Sequence, residues 1–167
     1  YEKAIDLLRP AMQKFPDDTS LQKKHEYYMG FAPVSIFDME PFTQDGGGID
    51  IESSVGDTMG NVYERAFCDE NPYRNAKSST YDIGKRYNLL AGTIAVGNYF
   101  YDRVGSIKIY GDGRLLTEIK MEKASKPSHF SVDITGVTDL KIEYPGNGSN
   151  YNNTIIVADV TLQKTVK

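Results

Sequence analysis

The clearest structural signal in this 167-residue sequence is a strand that runs into a tight turn, Ser106-Ile107-Lys108-Ile109-Tyr110-Gly111-Asp112-Gly113. The two isoleucines would point to one face and Lys108 to the other, which is the period-two pattern of a half-buried strand. Asp112-Gly113 supplies the positive φ angles that a tight hairpin turn requires. We therefore predict a β-hairpin whose second strand runs from 115 to 119.

The same alternation, interrupted by Gly, Asn, Asp and Pro, continues through residues 33–167. Many short strands separated by turn residues are typical of an antiparallel β-sandwich. The stretch 42–75 is rich in Gly and Asp, and we expect only one or two strands there, joined by long loops. The clearest predicted strands are Thr80–Ile83, Leu89–Val96, Ser106–Tyr110, Leu115–Ile119, Phe130–Ile134, Leu140–Tyr144 and Ile155–Leu162.

Residues 1–30 follow a helical period instead. Pro10 lies within the first helical segment and is expected to kink the helix or to shorten its hydrogen-bond ladder. Pro16-Asp17-Asp18 would end this helix and cap a second one, from about Thr19 to Met29. Because two short helices cannot bury their apolar faces alone, they must dock on another surface. The apolar stripe of the first helix comprises Ile5, Leu8, Met12 and Phe15.

Charge and hydropathy argue against several classes of protein. The formal net charge of -4 disfavours non-specific binding to nucleic acid, which needs a basic surface. No window reaches the ~18 apolar residues that cross a membrane, and the first residues do not form a signal peptide. Cys68 is the only cysteine, so no internal disulfide can form. A single cysteine is compatible with either a reducing or an oxidising compartment.

Motifs for catalysis are weak in this sequence. Ser128, His129 and Asp133 could be imagined as part of a triad, but adjacent side chains on a strand point to opposite faces and no oxyanion signature accompanies them. Cys68 has no basic neighbour that would activate its thiol. Gly46-Gly47-Gly48 lacks the Lys and the following helix of a phosphate-binding loop. We therefore predict that the chain is not an enzyme.

The region after the helices resembles a known family of binding domains. Six ordered segments match the NPCBM-type domain, a carbohydrate-binding module with a galactose-binding-like jelly-roll β-sandwich. The resemblance implies a mainly β fold for residues 33–167 and a function in glycan binding. The chain lacks the Asp-His-Ala-Asp-Trp run that many members carry before their last strand. The matching segments are Asp57–Tyr63, Ser79–Gly84, Tyr87–Ile94, Gly105–Gly113, Phe130–Val137 and Leu140–Ile142.

Residues 1–30 resemble the end of a tetratricopeptide repeat. The second helix of that repeat and its closing proline are matched by Tyr1-Glu2-Lys3-Ala4-Ile5, Leu8, Ala11 and Pro16-Asp17-Asp18. Pro10 departs from the pattern, which has a helix-forming residue there. The resemblance implies that the short helices close a helical array with protein-binding grooves.

Three polar segments carry the residue types that bind sugars. A pyranose needs an aromatic face for its C–H side and planar Asn, Asp or Arg groups that fork onto adjacent hydroxyls. The same residue types are also common in ordinary turns. The candidate ligand-binding residues are Tyr73, Arg74 and Asn75 in the first segment, Asn98, Tyr99, Tyr101, Asp102 and Arg103 in the second, and Asn150, Tyr151 and Asn152 in the third.

A structural calcium ion is a further implication of the resemblance, because galactose-binding-like sandwiches often carry one. Calcium prefers oxygen donors, and two acidic groups offer them. No strict ligand spacing is visible, so a solvated acidic loop is the favoured interpretation. No other cofactor is expected. The two groups are Asp45, Asp50, Glu52 and Asp57, and Asp69 and Glu70 with Asn71.

Two functions remain open at this point. The first is a non-catalytic carbohydrate-binding module that contacts a glycan through loops at one end of the sandwich, which favours an extracellular or cell-surface location. The second is a protein–protein interaction or scaffolding module that acts with the helical repeats and binds no sugar. The missing Asp-His pair and Trp favour the second. Neither function involves nucleic acid or a membrane-spanning segment.

Overall fold

The computed structural model describes residues 1–68, 76–98, 105–122, 124–145 and 155–164. Within these ranges the chain forms two N-terminal helices, eleven strands and a short 3-10 helix. None of the helices described is both long enough and apolar enough to span a lipid bilayer.

The two helices form a hairpin. α1 (Glu2–Lys14) continues four residues past Pro10, so the proline removes one donor from the hydrogen-bond ladder without ending the helix. α2 (Thr19–Met29) has the predicted bounds. Asp18 caps it by accepting hydrogen bonds from the backbone N–H of Ser20 at 2.9 Å and from the Ser20 hydroxyl at 2.6 Å. These hydrogen bonds lower the pKa of Asp18.

The helices pack mainly against each other. Ile5 of α1 is buried, whereas α2 has no buried residue. An aromatic cluster lies at one end of the hairpin and consists of Tyr1, Tyr27, Tyr28 and Phe31. The rings of Tyr1 and Phe31 stack with centroids 4.8 Å apart, and Tyr27 meets Phe31 edge-on at 5.1 Å. Tyr1 and Tyr27 are nevertheless 48% and 59% exposed, so the cluster presents an aromatic surface to solvent.

Two antiparallel sheets form the rest of the described chain. The strands are β1 (Val34–Ser35), β2 (Thr43–Asp45), β3 (Asp50–Gly56), β4 (Val62–Cys68), β5 (Lys77–Asp82), β6 (Leu89–Val96), β7 (Ser106–Gly111), β8 (Arg114–Lys120), β9 (Ser128–Asp133), β10 (Asp139–Tyr144) and β11 (Ile155–Gln163). Sheet A has the order β3-β4-β11-β6-β9, with β1 paired to β11, and sheet B has the order β2-β5-β10-β7-β8. This arrangement confirms the predicted mainly β sandwich.

The main core lies between the two sheets, as the period-two pattern predicts. Both sheets contribute large side chains that are fully buried, among them Phe67, Tyr81 and Tyr144. Gly92 of β6 makes room for the Phe130 ring of β9, since a Cβ at Gly92 would lie 2.9 Å from that ring. Fully burying each large apolar side chain contributes about 1.5–3 kcal/mol, so this interior is the main source of stability.

The region 42–68 contains three strands, β2, β3 and β4, so the expectation of one or two strands there was too low. Alternation of apolar and polar residues does not reveal these strands, because their burial does not alternate. β3 buries only Val55, and β4 ends with three consecutive buried residues, Ala66–Cys68. The side chains of Ala66 and Cys68 face away from the main core and are covered from outside.

The β3–β4 hairpin supplies that cover by bending over the outer face of sheet A. Val55 and Tyr63 pack there against Ala95, Ile156 and Ala158, which form a second, smaller core with Ala66 and Cys68. The hairpin tip (residues 57–61) is thereby brought to the end of β6. The backbone hydrogen bonds that fix it are Thr58 N to Val96 O at 2.9 Å and Asn98 N to Gly56 O at 3.0 Å.

Candidate functional site

The three sugar-binding candidates of the sequence are attached to the same end of the sandwich, here called the loop end. Strand pairing brings their flanking residues together, because Ile155 pairs with Val96 and Tyr144 pairs with Lys77. The segments follow β4, β6 and β10 and precede β5, β7 and β11. Asn98 is described and exposed. The other candidates lie outside the described residues, namely Tyr73, Arg74, Asn75, Tyr99, Tyr101, Asp102, Arg103, Asn150, Tyr151 and Asn152.

A buried tyrosine joins the two sheets beneath the loop end. The Tyr144 hydroxyl of sheet B lies 3.0 Å from the carbonyl oxygen of Phe67 and 3.3 Å from that of Ile155, both in sheet A. Tyr144 is only 2% exposed, so its hydroxyl hydrogen-bonds inside the core, where an unpaired polar group would cost about 1–3 kcal/mol. The strand ends that carry the three segments are thereby held at a fixed separation.

Charged and polar groups border this end. Lys77 Nζ of β5 lies 2.7 Å from Asp50 Oδ2 of β3, which links this edge strand of sheet A to sheet B. Asp45 Oδ2 accepts a hydrogen bond from the Ser78 hydroxyl at 3.1 Å. Ser79, buried beside it, accepts a hydrogen bond from the backbone N–H of Ile49 at 3.2 Å. These contacts join β2, β3 and β5 at the strand ends that border the loop end.

Asp57 organises the hairpin tip beside Asn98. Its Oδ1 accepts the backbone N–H groups of Met59 and Asn61, both at 2.9 Å, and its Oδ2 accepts the Asn61 side-chain amide at 2.8 Å and the Tyr63 hydroxyl at 2.9 Å. Burial raises the pKa of Asp57, but the hydrogen bonds from Asn61, Tyr63 and Met59 outweigh it and leave that pKa below its ordinary value. Asp57 is thus a structural carboxylate that holds the tip in one conformation.

Metal binding was one interpretation of the acidic residues, and it stays a prediction. Within the described ranges, no group of three or more His, Cys, Asp or Glu side chains is arranged to hold a metal ion. Asp45, Asp50 and Asp57 instead take part in the hydrogen bonds and the ion pair described above. Asp69, Glu70 and Asn71 lie outside the described residues.

The residues of the imagined triad have other partners. His129 Nδ1 lies 3.1 Å from the hydroxyl of Thr93 on the neighbouring strand β6. Asp133 Oδ1 accepts the backbone N–H of Thr135 at 2.8 Å and so fixes the turn after β9. These contacts give His129 a side-chain partner on β6 and give Asp133 a backbone partner in the following turn.

A groove that the sequence did not indicate runs between the outer edges of β8 and β9. Its volume is about 890 Å³, within the range of small-molecule sites. The sequence identifies both strands but contains no signal that they form the two sheet edges on one side of the sandwich. The groove is lined by Gly111, Asp112, Arg114, Leu115, Leu116, Thr117, Ile119, Ser128, His129, Phe130, Ser131, Val132, Asp133, Thr135, Gly136 and Val137.

Known structures with this fold include carbohydrate-binding modules, although no protein-family model and no curated protein matches the sequence. CBM51 from Clostridium perfringens GH95, solved in complex with methyl-galactose, aligns with a TM-score of 0.57 and 16% identity over 79% of this chain and 100% of that chain. The CBM51-2 and INT domains of Clostridium perfringens ZmpB, in complex with GlcNAc, align with a TM-score of 0.57 and 15% identity over 80% of this chain.

A third similar structure contains the tandem CBM51 modules of Sp3GH98, the family 98 glycoside hydrolase from Streptococcus pneumoniae SP3-BS71, with a TM-score of 0.60 and 16% identity over 82% of this chain. This chain spans 48% of that structure and 32% of the ZmpB structure. The NPCBM and tetratricopeptide resemblances stay predictions, because no family model matches. The chain therefore has the β-sandwich fold of carbohydrate-binding modules.

Proposed function

We propose that this chain is a non-catalytic glycan-binding module whose ligand contacts the loop end. The observation that carries the proposal is the attachment of three segments that contain Asn and Tyr, two of them also with Arg, to strand ends that pair with one another. The fold likeness to modules solved with methyl-galactose and with GlcNAc supports the same function. We expect galactose or N-acetylglucosamine to be part of the ligand, and we expect the module to work outside the cell.

The chemistry of the three segments suits a sugar. Tyrosine rings offer apolar faces to the C–H side of a pyranose, and the Asn, Asp and Arg groups can each pair with two adjacent hydroxyls. The chain has no tryptophan, so Tyr99, Tyr101 and Tyr151 would have to provide the stacking. We expect a dissociation constant for a single sugar between about 1 µM and 1 mM, because a small site offsets only part of the entropy lost on binding.

Titration calorimetry with methyl-galactoside and with N-acetylglucosamine tests the proposal. Tyr99→Ala, Tyr101→Ala and Asn152→Ala should each weaken binding at least fivefold if these residues touch the sugar. Tyr27→Ala is the matched control, because Tyr27 is an exposed tyrosine of the helical hairpin, and it should leave affinity unchanged. Absence of binding of either sugar at millimolar concentration by folded protein would contradict the proposal.

A second candidate function is protein–protein interaction through the helical hairpin. The observation that favours it is the aromatic cluster, in which Tyr1 and Tyr27 remain about half exposed. Aromatic residues are enriched at the centres of protein interfaces. If a helical-repeat array adjoins the hairpin in the full-length protein, Tyr27→Ala should reduce the amount of partner protein that the full-length protein captures in pull-downs. The same substitution should leave sugar binding intact. Unchanged capture by Tyr27→Ala would contradict this second function.

A further inference from the structure

The groove between β8 and β9 has the dimensions of a site for an extended chain. β8 has seven residues and β9 has six, so the groove walls are about 20–23 Å long at the usual rise per residue. In the described part of the chain, β8 pairs only with β7 and β9 pairs only with β6. The outer edge of each strand therefore presents backbone N–H and C=O groups to the groove.

The lining of the groove combines apolar and hydroxyl side chains. Leu116, Ile119 and Phe130 line the groove and pack against the main core. Serine and threonine residues of the same two strands, including Thr117 and Ser131, also line it. A sugar chain has the complementary character, since each ring has apolar C–H faces and a rim of hydroxyls that both donate and accept hydrogen bonds.

The charges in the groove favour an uncharged ligand. Asp112 Oδ1 already accepts the backbone N–H groups of Thr138 at 3.0 Å and Asp139 at 2.9 Å. Asp133 likewise accepts a backbone N–H from the turn that follows it. These two carboxylates accept hydrogen bonds from turns that border the groove, and Arg114, two positions after Asp112 in the sequence, also lines the groove. The described lining thus carries charges of both signs, so we expect no selection for an ion of either sign.

We infer that this groove is a second carbohydrate site, which holds the interior of a linear, uncharged oligosaccharide of galactose and N-acetylglucosamine units. The inference rests on the proposed function and extends it, because a sugar chain bound at the loop end could continue into the groove. Ile119 and Ser128 line the groove at the strand ends nearest the loop end, and Arg114 and Asp133 line it at the far end. An added β-strand from a peptide fits less well. β8 has charged residues at both ends and in its middle, Arg114, Glu118 and Lys120, and such residues on a sheet edge discourage pairing with a further strand.

The test is an NMR titration of the 15N-labelled chain with methyl-galactoside and with a hexasaccharide of alternating galactose and N-acetylglucosamine. The hexasaccharide should shift the backbone amides of Thr117 and Ser131 in the groove as well as Asn98 at the loop end. The single sugar should shift only Asn98. We expect the hexasaccharide to bind about tenfold more tightly than the single sugar, because two linked contacts reinforce each other.

Variants separate the two sites. A chain carrying Arg114→Ala and Leu115→Ala should lose the tenfold gain and keep its affinity for methyl-galactoside. Ile51→Ala is the matched control, since Ile51 is 43% exposed on the opposite edge strand of sheet A and Leu115 is 48% exposed, and it should keep the gain. Circular dichroism would check that each variant is folded.

The outcomes distinguish this inference from the proposed function. Shifts confined to Asn98, or a tenfold gain that survives the groove substitutions, would overturn the groove site and leave the loop-end function standing. Shifts confined to Thr117 and Ser131 would support the groove and contradict the loop end. A Val-Thr-Val-Thr-Val-Thr peptide that shifts the groove amides while the hexasaccharide does not would assign the groove to strand addition instead. Shifts from neither sugar would contradict both carbohydrate sites.

Discussion

Substitution of Asp57 by Asn isolates the contribution of a single buried carboxylate to the hairpin tip. Asp57 is 2% exposed and accepts four hydrogen bonds, two on each oxygen. An Asn at this position keeps one oxygen, which can still accept the backbone N–H groups of Met59 and Asn61. Its NH₂ group would take the place of Oδ2 and meet the side-chain NH₂ of Asn61, so that two donors face each other.

The expected loss of stability follows from these contacts. Hydrogen bonds to a charged group contribute about 1.5–3 kcal/mol each, and a buried donor left unpaired costs about 1–3 kcal/mol. Since the tip is at the edge of the fold and can relax, we expect Asp57→Asn to lower the free energy of unfolding by about 2 kcal/mol. With a urea slope of about 1–3 kcal/mol per molar, the urea midpoint should fall by about 1 M.

Urea denaturation followed by far-ultraviolet circular dichroism measures this loss. Asp112→Asn is the matched control, because Asp112 uses one oxygen for both of its backbone hydrogen bonds and an Asn oxygen can replace it. This control should change the midpoint by less than about 0.3 M, the equivalent of a few tenths of a kcal/mol at the same slope. Equal midpoints for wild type and Asp57→Asn at pH 7 would refute the assigned role of Asp57.

The pH dependence gives the same substitution a second readout. The pKa of Asp57 is lower in the folded chain than the ordinary value of 3.8. A lowered pKa means that the folded state binds this proton more weakly, so the stabilisation is complete above the ordinary value and is lost as pH falls through the folded one. The difference in free energy of unfolding between wild type and Asp57→Asn should therefore be constant near neutral pH and shrink below pH 4. A difference that does not shrink on acidification would show that the charge of Asp57 does not contribute to stability.

Three further substitutions test other parts of the structure. Tyr144→Phe should lower the free energy of unfolding by about 1–2 kcal/mol, because the carbonyl groups of Phe67 and Ile155 lose their shared donor; an unchanged urea midpoint would contradict this. Gly92→Ala should cost about 1–3 kcal/mol, since the new methyl group would meet the Phe130 ring and the carbonyl oxygen of Ala158; a melting temperature equal to that of wild type would show that this close approach relaxes freely. Burial, followed by the hydrogen bond to Asp57, raises the pKa of Tyr63 to about 12. Tyr63→Phe should therefore remove one phenol from the absorbance titration near pH 12 and none from the part near pH 10. The stabilisation that neutral Tyr63 gives the wild type should fade as pH rises from about 10 to 12.

The sheets could be predicted because their inner faces follow a simple burial pattern. β6 has the predicted bounds, and Ile107 and Ile109 of β7 are both buried while Lys108 is not. The pattern fails where polar residues are buried. β5 begins at Lys77 and not at the predicted Thr80, because Ser78 and Ser79 are buried through hydrogen bonds to residues more than 25 positions away.

The candidate site was predictable only as a set of residue types. Segments rich in Asn and Tyr can be recognised in a sequence, but their attachment to one end of the sandwich depends on which strands pair. The pairing of β11 with both β4 and β6 joins residues that are more than 50 positions apart. For the same reason the sequence did not indicate the groove, since the position of β8 and β9 at sheet edges is set by the order of all the other strands.

The shared base beneath the loop end bears on how such a domain can diversify. Because each of the three segments leaves and re-enters the sandwich at a strand end held by the core, a change in segment length alters mainly the entropy of closing a loop. Doubling a loop costs only about 0.6 kcal/mol, well below the stability of an ordinary domain. Segments of other lengths and compositions could therefore replace these three while the interior, including the Tyr144 link between the sheets, kept its packing.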